Sequence, residues 1–150
     1  MKSLFNESEY LEIRKRAETL QTDNTRQWGK MTIAQMMAHC SAGFEQAIGK
    51  TPFKDKSNFI MRSLVKRIVL KAVKKGDFGK NQKTFPEYVV TGEKDFQMEK
   101  QRFLQNIDDF YQSGYKNILG RHPYFGKFRK DDWGALQYAH TLHHLKQFSA

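Results

Sequence analysis

The spacing of apolar residues divides the chain into five helical stretches separated by loops. After Asn6 and Glu9, which stand at capping-box spacing, Tyr10, Ile13, Ala17 and Leu20 recur at helical intervals, and a first helix of about four turns is predicted. Thr32 and Gln35 form a second capping box, with Met31 and Met36 at the two positions of a hydrophobic staple. From there the stripe Ile33, Met36, Met37, Cys40, Phe44, Ala47, Ile48 runs to Gly49, a natural stop. Residues 58–75 read as a basic amphipathic helix, with Ile60, Leu64, Val65, Ile68, Val69, Ala72 and Val73 on one side and Arg62, Lys66, Arg67 and Lys74 on the other. The Gly and Pro punctuation of 76–86 marks a loop, and Pro86 to Val90 reads as a short extended piece. A long helix is predicted from about Glu93 to Ser113, carrying Phe96, Phe103, Leu104, Ile107, Phe110 and Tyr111. After a second loop through Gly120–Gly126, a last helix opens at Asp131 or Asp132, whose carboxylates suit a helix N-terminus. No pair of alternating apolar runs is joined by a hairpin signal. The expected fold is all-α: an up-and-down four-helix bundle with a basic helix and two loops inserted between its second and third members.

Composition narrows this little further. A chain of 150 residues, 39% of them hydrophobic, suits a single domain over residues 1–150. At this size about 68–70% of the unfolded surface is buried on folding, so neither disulfide nor metal is needed to hold a core, and a metal site would serve function. The single cysteine, Cys40, excludes an internal disulfide and Cys-rich zinc modules. There is no run of eighteen apolar residues, and Met1–Glu7 turns polar before a signal-peptide core forms, so a cytoplasmic location is expected.

Charge changes the picture more. The net charge is +10, yet residues 50–83 hold eleven Lys or Arg against Asp55 and Asp77, while the rest of the chain is nearly balanced. Such a segment is usually a solvated face; anionic lipid, nucleic acid or an acidic cosubstrate are the sharper alternatives. Nucleic acid is disfavoured, because no aromatic-interleaved basic stripe or recognised motif accompanies the charge.

Histidine placement carries the chemistry. The five are His39, His122, His140, His143 and His144. Taking Trp133 as origin, Leu136, Gln137, His140, His144, Gln147 and Phe148 share one face of the last helix, with His143 at its margin. The stripe that should face the bundle is thus half polar, and buried imidazoles and amides need partners. His140 and His144 stand i, i+4, which lets two imidazole nitrogens converge on one ion, and His39 lies on the flank of the second helix that faces a neighbour. Three His ligands leave coordination positions open, as in a catalytic rather than a structural zinc site.

Met36-Met37-Ala38-His39 and His140-Thr141-Leu142-His143-His144-Leu145-Lys146-Gln147 resemble the DinB/YfiT-like superfamily, whose last helix carries an H-x-x-x-H-x-x-Q pattern and whose early helix supplies one more histidine. Trp28-Gly29-Lys30-Met31-Thr32 and His122-Pro123-Tyr124-Phe125-Gly126 through Trp133 look like a bacterial branch of it. The resemblance implies a four-helix bundle with one long crossover, a divalent ion, Zn²⁺ or Ni²⁺, on His39, His140 and His144, and metal-dependent transfer of low-molecular-weight thiols or related chemistry. Where the thiol-transferase branches have Arg-Gly, this chain has Leu145-Lys146.

The expected function is therefore a metal-dependent transferase or hydrolase in which a metal-activated thiol or water attacks a small-molecule electrophile. No residue identifies itself as the general base; Glu45 and Gln46 are within reach of His39 along the second helix. Gln147, His143, His122 and Trp133 are candidates for the surroundings of the site, His122 as lid or as brace of the last helix. The alternative is a non-enzymatic metal-binding or stress-associated protein whose basic helix meets an anionic partner. A homodimer is compatible with either.

Overall fold

Two reciprocal hydrogen bonds begin the second helix: Gln35 N–H donates to Thr32 Oγ1 at 3.1 Å, and Thr32 N–H donates to Gln35 Oε1 at 2.9 Å. In the computed structural model, which describes all 150 residues, this cap opens α2, Ile33–Ala47, and Gly49 closes it with φ +75°. The other helices are α1, Glu7–Glu18; α3, Lys66–Lys75; α4, Phe96–Ser113; and α5, Lys130–Gln147. The molecule is mostly helical, and no helix is long and apolar enough to cross a membrane.

The other starts differ from expectation in instructive ways. Asn6 makes no side-chain cap, and the Glu9 carboxylate accepts from the Ser8 hydroxyl at 2.6 Å instead, so α1 owes its place to burial of Ile13 and Ala17. Asp95, accepting from Met98 N–H at 2.8 Å, starts α4 three residues beyond Glu93. At α5 the Asp132 carboxylate accepts from the Arg129 backbone and guanidinium, which sets the first turn just upstream of the acidic pair.

α1, α2, α4 and α5 pack round a core that includes Ile13, Phe44, Phe103, Phe110 and Leu145. α2 lies chiefly along α4, and α5 touches α1, α2 and α3. With neighbours on three sides, α5 is buried well outside the stripe drawn from Trp133: Ala135, Tyr138, Ala139, Thr141 and Leu145 are enclosed, while Leu136 is only half-buried.

Residues 48–95 make a long excursion between α2 and α4. Lys56 N–H donates to Pro123 O at 2.8 Å, tying its start to the loop before α5. A π-helical turn, Met61–Val65, leads into α3. The single apolar side expected here divides into two i, i+4 series one residue apart. Met61, Val65, Val69 and Val73 turn inward, the last two onto the small Ala135 and Ala139 of α5, while Ile60, Leu64 and Ile68 face out. Pro86–Tyr88 is a 3-10 turn rather than an extended piece. A hairpin absent from the sequence pattern pairs β1, Arg121–His122, with β2, Gly126–Lys127; Tyr124 and Phe125 N–H groups lie 3.1 and 3.4 Å from His122 Nδ1, so a side chain closes the turn that no alternating pattern announces.

Candidate metal centre

The capped α2 presents His39 toward α5, where His140 and His144 stand one turn apart. His39 Nε2 is 3.0 Å from His140 Nε2, and His144 Nε2 is 3.2 Å from the same atom. One ligand nitrogen from each ring lies within 4.8 Å of the others. His39 and His144 are buried, and His140 is the most accessible of the three.

Outer partners fix two of the rings. His39 Nδ1 is 2.7 Å from the Tyr88 carbonyl, which can only accept, so Nδ1 carries the proton and Nε2 presents a lone pair. His144 Nδ1 is 2.8 Å from Gln147 Oε1, and Gln147 Nε2 donates to the Trp28 carbonyl at 2.9 Å, which orients the amide and gives His144 the same tautomer. Burial lowers the pKa of all three rings: His144 falls to about 3, with His39 adding to the effect, while the bond to Tyr88 partly offsets the shift at His39. Burial drives His140 well down, and His144 and His39 push it further.

Two fixed lone pairs thus point at His140 Nε2. A single proton there must be divided between two acceptors, whereas one cation would take all three lone pairs. A tetrahedral ion with bonds of about 2.0–2.1 Å separates its ligands by about 3.3–3.4 Å, close to the 3.0 and 3.2 Å that separate His140 Nε2 from the other two nitrogens. Three imidazole nitrogens so placed have the chemistry to hold a metal ion with coordination positions left open.

Beside the triad is a cavity of about 460 Å³ lined by Trp28, Asp77, Phe78, Lys80, His143 and Lys146. Phe78, which lines the cavity, packs edge-on to both His140 and His143, at centroid distances of 6.2 and 6.0 Å. Lys80 Nζ lies 4.8 Å over the Trp28 indole. The lining combines two lysines and one aspartate with two aromatic side chains and an imidazole.

Other expected residues fall elsewhere. His143 lines the cavity, 5.2 Å from Trp28 by ring centroids. His122 is buried against Phe125 and Trp133, at 4.3 and 5.0 Å, so it braces the start of α5 instead of covering the triad. Trp133 belongs to that same aromatic cluster, with Phe128, two turns along α5 from His140. Glu45 is turned to α4, where Arg102 binds it at 2.7 and 2.8 Å and Asn106 at 2.9 Å; burial raises its pKa, but these bonds outweigh it and hold the carboxyl low. That engagement removes it from His39. Gln46 is buried with its Nε2 unpartnered, and an amide is no base. Cys40 is enclosed in the core, where burial pushes its thiol far up, so it takes no part as ligand or nucleophile.

The sequence reading missed Tyr88, Trp28, Phe78 and Lys80. Two act through backbone carbonyls, which residue type does not advertise, and the others lie in loops distant along the chain. The one signal in the sequence was a glycine at 29: with φ of +80°, and only 2.5 Å between the place a Cβ would take and Gln147 Nε2, the position admits no side chain.

No curated protein and no solved structure matches the chain. One family description does, over nearly its whole length: the chain belongs to the family described as protein of unknown function (DUF1569), whose model matches residues 4–150.

Proposed function

We propose that this protein is a divalent-metal-dependent enzyme of the DinB-like kind, built on a four-helix bundle with a long crossover, in which His39, His140 and His144 hold Zn²⁺ or Ni²⁺. The observation that carries the reading is the convergence of three Nε2 atoms with the outer nitrogens of His39 and His144 already engaged. Bound there, the ion supplies Lewis acidity that lowers the pKa of a thiol or water. The chain does the rest. Tyr88 and Gln147 hold the two ligand rings in the coordinating tautomer, as partners outside a metal's ligand set commonly do. Lys80 and Lys146 offer charge to an anionic small-molecule substrate, a low-molecular-weight thiol being the candidate from the resemblance, and Trp28 and Phe78 offer it apolar faces.

The test is metal content by mass spectrometry of protein purified without a histidine tag, followed by thiol consumption with electrophilic substrates before and after chelation. Near-stoichiometric metal and chelator-sensitive turnover are expected. Protein that stays metal-free after incubation with Zn²⁺ and Ni²⁺ overturns the reading. Metal without turnover on thiol or hydrolytic substrates favours the non-enzymatic alternative.

A further inference from the structure

The outward face of the excursion between α2 and α4 has no role in the triad. Phe59 is 84% exposed, Ile60 61%, Leu64 59% and Ile68 59%, four large apolar side chains within ten residues. Soluble proteins scatter such residues singly; a contiguous group marks a surface that meets something apolar. Arg67, Lys71, Lys74 and Lys75 are exposed beside them, in the most basic part of the chain. The other face of α3 is anchored through Val69 and Val73 on Ala135 and Ala139, so the outward face belongs to a fixed helix.

We propose that this face binds the surface of an anionic lipid bilayer, with Phe59, Ile60, Leu64 and Ile68 entering the boundary between headgroups and acyl chains and the flanking Lys and Arg meeting lipid phosphates. Charge decides among occupants. A second copy would set one strongly basic face against another. Nucleic acid would satisfy the cations but leave the aliphatic stripe in water. A bilayer that is anionic outside and apolar beneath matches both, the chemistry of a helix lying in the interface plane. The protein does not span the bilayer, since no helix is long and apolar enough.

The experiment is flotation of the full chain with vesicles of phosphatidylcholine alone or with a minority of phosphatidylglycerol, in rising salt. Partition into the anionic vesicles, little into the neutral ones, and decline with salt are expected. Leu64→Ser/Ile68→Ser and Lys71→Gln/Lys74→Gln should each weaken partition by on the order of ten-fold, with helical circular dichroism unchanged because all four side chains are exposed. Equal partition into both vesicle types, or wild-type partition by the Leu64/Ile68 variant, overturns the proposal. So does self-association in sedimentation that the serine variant abolishes while vesicle binding is absent, or tighter binding to duplex DNA than to vesicles.

Discussion

Replacing Gln147 by Leu removes the amide that joins the last helix to the Trp28 loop while keeping its approximate volume. Two groups lose their partners, the Nδ1–H of His144 and the carbonyl of Trp28, and Gln147 itself is 2% exposed, so water reaches neither easily. Each orphaned buried group costs about 1–3 kcal/mol. With the Trp28 carbonyl partly able to find solvent, the expected loss is about 2–4 kcal/mol in the metal-free protein. Metal affinity should fall by about 10–100-fold, or about 1.4–2.7 kcal/mol, because His144 is no longer held in its coordinating tautomer. Urea unfolding followed by circular dichroism in chelator measures the first quantity, and competition with a chromophoric chelator the second. Gln147→Glu separates orientation from packing: it still accepts from His144, so affinity should survive, but it sets a carboxylate against the Trp28 carbonyl, so stability should not. A Gln147→Leu variant that unfolds within about 0.5 kcal/mol of wild type and binds metal equally well would refute the account of how His144 is oriented.

Three further outcomes follow from the same structure. His140→Ala/His144→Ala should lose metal yet keep its helical dichroism, at a cost of about 1–3 kcal/mol for the acceptor left at Gln147; a chelated wild type already unfolded at room temperature would show that the metal holds the fold. Gly29→Ala should cost about 1–3 kcal/mol, from its φ of +80° and the crowding of Gln147 Nε2, and should weaken metal binding alongside; unchanged affinity would separate Gly29 from the site. His122 is held neutral by burial, with Lys66 adding to the effect, so its pKa drops from 6.5 to about 3. Its contribution is complete above pH 6.5 and is lost as pH falls toward 3, at a slope of about 1.4 kcal/mol per pH unit. His122→Asn keeps an acceptor for the Tyr124 and Phe125 N–H groups and should flatten acid unfolding between pH 6.5 and 4.5 by one proton; an unaltered slope would refute the assignment.

What sequence conveys here depends on how local the physics is. The Thr32–Gln35 cap was legible because four consecutive residues complete it; at Asn6 the same spacing marks where α1 begins, but the box does not close, because the Glu9 carboxylate accepts from Ser8. His39, His140 and His144 could be grouped because helical period alone brings two together and turns the third toward a neighbour. Tyr88 could not: it reaches His39 from 49 positions away through a peptide carbonyl that any residue would supply. The two series on α3 share one apolar periodicity, and only the footprint of Ala135 and Ala139 decides which is buried.

The two indoles sit in opposite surroundings. Trp133 is enclosed by Phe128 and His122, while Trp28 is half-exposed at the cavity, flanked by Lys80 and His143, with its carbonyl tied through Gln147 to His144. Trp28 is thereby a built-in optical reporter. With Trp133 replaced by Phe, emission comes from one fluorophore whose ring lines the cavity and whose backbone is tied through Gln147 to His144. A metal ion taken up at the three histidines and a molecule entering the cavity, as the proposed function requires, would then register as separate spectral events without attaching a dye.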